Sequence, residues 1–168
     1  VYNMGVGGET STTIAAKQGA LDIVFTEGFT IPVSCNESVE IKFAASNGGV
    51  VTPRDSTIGG WTPCTINGVE GLMEIVVDSS VWPRVLKSAH FKRNVSGEAV
   101  KVNVGDKLIP YAQKITPDIN IVFSGTNGGW TSANTTVPSD YSADITEFLN
   151  LLDNQRKLSN TPDKYIII

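Results

Sequence analysis

Val39-Glu40-Ile41-Lys42-Phe43 alternates apolar and polar residues, which is the period-two pattern of a β-strand with one buried face. Other short β-prone runs lie on both sides of it, and turn signals such as Asn47-Gly48-Gly49 and Asn67-Gly68 separate them. The predicted runs are Leu21–Phe25, Thr30–Val33, Val39–Ala45, Leu72–Val77, Val85–Phe91, Ala99–Val104 and Leu108–Tyr111. No helical periodicity occurs between residues 20 and 115. This section is therefore predicted to be an all-β unit, a small barrel or a sandwich, with a core around Ile41, Phe43, Ile75 and Val77.

The chain before this section has the pattern of a strand, a tight turn and a short helix. Val1–Met4 is an apolar run that meets the glycine-rich turn Gly5-Val6-Gly7-Gly8. Thr10 and Ser11 offer helix-capping side chains, and Gly19 is expected to end the helix. The glycines lack the Gly-x-Gly-x-x-Gly spacing of a dinucleotide-binding turn.

Helical signals return after residue 115. Ile119–Phe123 and Tyr165–Ile168 are apolar runs typical of strands buried on both faces. Between them, Pro138-Ser139-Asp140 predicts a helix start, and an apolar stripe follows at Tyr141, Ile145, Phe148, Leu149 and Leu152. The order of elements predicts a three-layer α/β fold with a parallel sheet. Residues 1–18 and 115–168 would form its core, and residues 19–114 an inserted β domain.

Two glycine-rich stretches at these predicted strand ends resemble a known family. Asn3-Met-Gly-Val-Gly-Gly-Glu-Thr-Ser11 and Phe123-Ser-Gly-Thr-Asn-Gly-Gly129 are similar to the second and third sequence blocks of the SGNH (GDSL-type) serine hydrolases. The resemblance implies a flavodoxin-like parallel sheet and ester hydrolysis. It implies that the Gly8 backbone amide and the Asn127 side-chain amide stabilise the oxyanion. Gly128 departs from the family pattern, which has Asp at that position.

The other catalytic residues of that family find no match in this sequence. Asp55-Ser56-Thr57 partly resembles the nucleophile block of the family, but it lies in the predicted β section and not after a buried strand. The single histidine, His90, has Lys87 where an Asp-x-x-His pair needs the acid. The resemblance thus implies the oxyanion half of a hydrolase for O-acyl esters of a carbohydrate or lipid, inactive alone. The rest of the hydrolase domain would lie outside this chain, and no metal or cofactor is expected.

The composition indicates which classes of molecule this protein is expected to bind and where in or outside the cell it is expected to act. The net charge of −4 and the absence of a basic cluster larger than Lys92-Arg93 argue against a nucleic-acid partner. No apolar run approaches the length of a membrane span. Low Lys content and abundant Thr, Asn and Gly fit an extracellular or cell-surface protein, together with three Asn-x-Ser/Thr triplets that begin at Asn36, Asn94 and Asn134. Whether Cys35 and Cys64 form a disulfide stays open at this point.

A second interpretation is a non-enzymatic, secreted β-sandwich of adhesin or carbohydrate-binding type, whose glycine-rich ends are only turns. Trp61, Trp82 and Trp130 could stack sugars or line an acyl pocket, although such residues more often belong to a core. Residues 139–168 discriminate between the two interpretations. A helix there favours the hydrolase, and a strand through 141–149 favours the binding module.

Overall fold

The computed structural model describes residues 3–55, 59–80, 85–115, 120–122 and 165–167. Within these ranges the chain forms one α-helix, eleven strands and one 3-10 helix. The helix is α1 (Ser11–Lys17), and the first strands are β1 (Ile23–Phe25), β2 (Phe29–Ile31), β3 (Val39–Ile41), β4 (Phe43–Ala45) and β5 (Cys64–Ile66). They are followed by β6 (Val69–Asp78), β7 (Val85–Arg93), β8 (Val100–Val102), β9 (Lys107–Pro110), the 3-10 helix η1 (Tyr111–Lys114), β10 (Asn120–Val122) and β11 (Tyr165–Ile167).

Seven of the strands form a single antiparallel sheet in the order β3-β7-β6-β5-β9-β1-β4. The two edge strands, β3 and β4, are halves of one segment and are separated by Lys42 alone. The sheet therefore curls into a nearly closed barrel, and the continuity of the chain joins its edges. This confirms the all-β prediction for the central section, and the alternating burial of Val39–Phe43 follows the predicted period. β2 and β8 form a separate antiparallel pair.

The barrel interior holds the hydrophobic core, to which α1 contributes Ala16. Of the four residues predicted for the core, Ile41 is buried and Phe43 and Ile75 pack against the buried cluster. The fourth, Val77, is partly buried and does not belong to this core. The largest buried apolar side chains of this core are Trp61, Phe25, Phe91, Ile23, Ile31, Ile66, Met73 and Leu108.

Local chemistry accounts for both ends of α1. The Thr10 hydroxyl accepts a hydrogen bond from the Thr13 amide at 3.2 Å, which caps the N-terminus as predicted. At the other end Gly19 adopts a positive φ of 88°. The amides of Gly19 and Ala20 donate back to the carbonyls of Ala16 and Ala15, which is a Schellman motif. The short helix thus begins and ends where the sequence predicts.

The predicted three-layer, flavodoxin-like α/β fold with a parallel sheet is wrong, because antiparallel sheet dominates the described residues. One parallel pair occurs among them, β10 with β11, which aligns Asn120 with Tyr165. Asn3 and Met4 do not form a strand. A short apolar run does not distinguish a sheet strand from a segment that packs on another surface. Here the Met4 and Val6 side chains lie against a barrel loop instead. The helix predicted from residue 141 lies outside the described residues.

Candidate functional site

The turn that carries Gly8 packs directly on the loop before β5. Gly59 and Gly60 of that loop have φ values of 71° and 78°, which favour glycine. A Cβ atom on Gly59 would clash with Val6 Cγ2, and one on Gly60 would clash with Met4 Sδ. Because neither glycine has a side chain, the turn lies in close contact with the barrel.

A buried ion pair fixes the residue that follows Gly8. Glu9 and Lys17 are 2% and 0% exposed, and their Oε2 and Nζ atoms lie 2.6 Å apart. The other carboxylate oxygen, Oε1, accepts a 2.6 Å hydrogen bond from the indole N–H of Trp61. Lys17 Nζ also donates to the Met4 carbonyl at 2.6 Å. Both carboxylate oxygens of Glu9 therefore have charge-assisted partners, from α1 and from the barrel loop.

Burial and pairing act in opposite directions on the Lys17 ammonium. Removal from water lowers the pKa of Lys17, and the adjacent Glu9 carboxylate opposes that change. The Lys17 Nζ atom also lies 5.9 Å from the centre of the Trp61 ring, within range of a cation–π contact.

The chain leaves the barrel at the same place. The Ala112 amide donates to the Gly60 carbonyl at 2.8 Å, and the Gln113 side-chain amide donates to the Ala16 carbonyl at 2.9 Å. We call this cluster the junction, formed by residues 4–9, 13–17, 59–61 and 112–113. It joins the segment before the barrel, the barrel loop and the segment after the barrel.

Gly8 lies at one side of the junction and is partly buried. Its φ of 87° lies in the left-handed region. Within the described residues, the Gly8 N–H donates no hydrogen bond to a protein acceptor. A Cβ atom on Gly8 would lie 4.0 Å from Cγ of Arg54. The Nε and Nη1 atoms of that arginine are buried and have no hydrogen-bond partner.

The other residues singled out in the sequence have different outcomes. Asn127 lies outside the described residues, so its convergence with Gly8 stays a prediction. His90 occupies a regular strand position in β7, opposite Glu40 on one side and Glu74 on the other. Trp61 is fully buried, which confirms a core position and removes it as an exposed sugar platform. Asp55 is described, whereas Ser56, Thr57, Trp82 and Trp130 are not.

Sequence reasoning missed Glu9, Lys17 and Arg54. Thr13 and Lys17 are four residues apart and so share a helix face, but nothing in the sequence indicates that this face is buried. Cys35 and Cys64 are both free thiols.

In the described ranges, no group of three or more His, Cys, Asp or Glu side chains could hold a metal ion. Among the helices in the same ranges, none has the length and apolar character needed to cross a bilayer. Comparisons with protein-family models, curated proteins and solved structures found no match to this chain.

Proposed function

We propose that this chain is part of an SGNH-type hydrolase for O-acyl esters and supplies the hydrogen-bond donors that stabilise the oxyanion. The barrel packs beside the Gly8 turn. The observation that carries the proposal is the Gly8 N–H, which donates to no acceptor in the part of the chain that the structure describes and lies in a turn held by the buried Glu9 side chain. An oxyanion site needs donors that are fixed before the reaction and are not already paired. Gly8 meets both requirements.

The junction supports the view that the barrel is an insertion. A domain inserted into a loop needs its entry and exit to lie close together. The bond from the Gln113 side chain to the Ala16 carbonyl brings the two ends of the barrel section into contact. The barrel can therefore stand beside an enzyme core that is built from residues on both sides of it.

In the proposed reaction, a serine outside this chain attacks the carbonyl carbon of the ester. The carbonyl oxygen becomes negatively charged as the tetrahedral intermediate forms. The Gly8 N–H and the Asn127 side-chain amide donate hydrogen bonds to that oxygen, and these bonds strengthen as the charge develops. The substrate is an acyl ester on a carbohydrate or lipid outside the cell.

The test uses the complete protein that contains this chain and measures hydrolysis of p-nitrophenyl acetate. Asn127→Ala should lower kcat by roughly 10²–10³, as expected for the loss of one oxyanion donor. Asn134→Ala, a nearby change of the same type, is the matched control and should leave kcat unchanged. Equal rates in wild type and Asn127→Ala, or no hydrolysis by the wild type, would contradict the proposal.

The second candidate is the non-enzymatic binding module, which the antiparallel barrel favours because it makes up most of the described residues. A fluorophosphonate probe distinguishes the two. The probe should label the complete hydrolase at its serine and should not label residues 1–168 alone. A complete protein that remains unlabelled would favour the binding module.

A further inference from the structure

Trp61 is a fixed hydrogen-bond donor at the centre of the junction. Its side chain is fully buried in the barrel core, and its single polar atom, the indole nitrogen, donates to Glu9 Oε1 at 2.6 Å. Close-packed surroundings leave a buried indole ring little room to move. Because the acceptor is a carboxylate, this hydrogen bond is of the strong, charge-assisted kind. The barrel therefore fixes the position of one carboxylate oxygen of Glu9.

Glu9 belongs to the same tight turn as Gly8. The Glu9 amide donates to the Val6 carbonyl at 3.4 Å, so Val6 and Glu9 are the first and fourth residues of a β-turn whose central residues are Gly7 and Gly8. Gly8 is the third residue and has a φ of 87°, as a type II turn requires at this position. The hydrogen bond that closes the turn is donated by the fourth residue. The turn therefore orients the Gly8 N–H without using it.

Both ends of this turn rest on the same barrel loop, the one that precedes β5. At the first end, the Val6 side chain fills the space in which a Cβ atom of Gly59 would lie. At the other end, Trp61 of the loop holds the Glu9 carboxylate. The direction of the Gly8 N–H thus depends on where the barrel loop lies.

We propose that Trp61 is a positioning residue for the Gly8 amide, which is an inference that rests on the proposed function. Trp61 is fully buried and so does not touch the substrate. It acts through Glu9 and holds the turn so that the Gly8 N–H points at the oxyanion before the reaction begins. An oxyanion donor contributes most when its direction is fixed in advance, since no reorganisation then accompanies the developing charge. The barrel is in this way a working part of the hydrolase.

The first test uses residues 1–168 and needs no hydrolysis. Trp61→Phe removes the indole N–H, keeps an aromatic ring in the core and leaves the contact between Lys17 and Glu9 in place. The ¹⁵N relaxation order parameter of the Gly8 amide should be about 0.85 in the wild type, as in a rigid backbone, and should fall below about 0.6 in the variant. A wild-type value already near the lower figure would overturn the proposal, because the turn would then not be held.

Two further variants separate the hydrogen bond from a general loss of packing. Ile31→Val shortens a fully buried side chain of β2, outside the junction, and should leave the Gly8 order parameter unchanged. Benzothienylalanine at position 61 replaces the indole N–H by sulfur in a ring of nearly the same shape, and it serves where Trp61→Phe does not fold. An unchanged Gly8 order parameter with this residue, or equal mobility in Ile31→Val, would overturn the proposal.

Kinetics in the complete protein tests the link to hydrolysis. The kcat for p-nitrophenyl acetate is measured per serine labelled by the fluorophosphonate probe, so that unfolded enzyme does not count. Trp61→Phe should lower this kcat roughly 10- to 100-fold and change KM by less than about twofold, because the interaction that is lost acts in the transition state. Ile31→Val should match the wild type. A change in KM alone, or an unchanged kcat, would overturn the proposal.

Failure of the positioning role and failure of the proposed function give different results. If Gly8 becomes mobile in Trp61→Phe and the complete wild-type protein hydrolyses no ester, the proposed function is wrong, and the hold of the barrel on the Gly8 amide stands. If the wild type hydrolyses esters and neither the mobility of Gly8 nor kcat depends on Trp61, the positioning role is wrong and the proposed function stands.

Discussion

Glu9 links three parts of the molecule through one carboxylate. It accepts hydrogen bonds from Lys17 of α1 and from Trp61 of the barrel loop, and it directly follows Gly8. An ion pair of this kind adds little net stability compared with well-packed apolar residues, since both charges have lost their hydration. Its larger effect is geometric, because it fixes the turn on the barrel.

The buried pair leads to a prediction about coupling. Glu9→Gln and Lys17→Met should each lower the free energy of unfolding by about 3–5 kcal/mol, because each leaves one charge buried without its counter-charge. The double variant should lose clearly less than the sum of the two. Urea unfolding of all four proteins gives the coupling energy. Additive losses would mean that the two side chains do not interact in the folded protein.

The two cysteines should differ strongly in reactivity. Burial raises the pKa of the Cys64 thiol to about 12, whereas hydrogen bonding to Ser96 lowers the pKa of Cys35. The thiolate is the reactive form. Iodoacetamide at mildly alkaline pH should therefore modify Cys35 alone in the folded chain and both cysteines in urea. Mass spectrometry reads the result, and a folded chain with neither cysteine modified would contradict the free thiols.

At the scale of elements, the close contact between the N-terminal turn and the barrel loop depends on missing side chains. Gly59→Ala introduces a Cβ that clashes with Val6 at a backbone φ of 71°. Gly68→Ala, in the turn between β5 and β6, meets a similar φ of 82° with no atom within 4 Å. The two positions therefore differ in crowding and share the backbone strain.

Gly68→Ala should cost about 1–2 kcal/mol of unfolding free energy, the usual penalty for a left-handed residue other than glycine. Gly59→Ala should cost that amount and about 1–3 kcal/mol more, because an overpacked contact must shift. Urea unfolding compares them. Equal costs for the two variants would show that the turn moves away from the loop without penalty.

Local signals predicted most of these elements and little of their arrangement. The runs at Val39–Ala45, Leu72–Val77 and Val85–Phe91 all lie in strands or strand pairs of the barrel. β5 was not predicted, because Cys64-Thr65-Ile66 is too short a run to have a recognisable period. The parallel sheet was predicted from apolar runs whose partners no local pattern specifies. For the site, the role of Gly8 comes from the family resemblance of its turn and stays a prediction. The positions of Arg54 and Glu9 depend on contacts with Gly8 and Trp61, which are distant in the chain, so no local pattern indicates them.

For the whole molecule, the ring of strands depends on one late segment. β9 pairs with β1 on one side and with β5 on the other, so it connects the beginning of the barrel to its middle. Without β9 the sheet has two additional open edges, and η1 cannot reach the junction.

This topology predicts a sharp dependence on chain length. Residues 3–115 should unfold in one cooperative transition, because all seven strands of the ring and both sides of the junction are present. Residues 3–106 should show no such transition, since β1 and β5 lose a partner each. Circular dichroism during heating distinguishes the two. A cooperative transition in the shorter segment would show that the ring is not the folding unit.

The position of β9 also matters while the protein is being made. Synthesis proceeds from the N-terminus, so β1 and β5 leave the ribosome well before the strand that must lie between them. During that interval each presents an unpaired edge to other nascent chains. We expect protease resistance to appear in stalled nascent chains only after Pro110 has emerged. The order of strands in the sheet thus sets a period in which the growing chain carries unpaired strand edges that can associate with other chains.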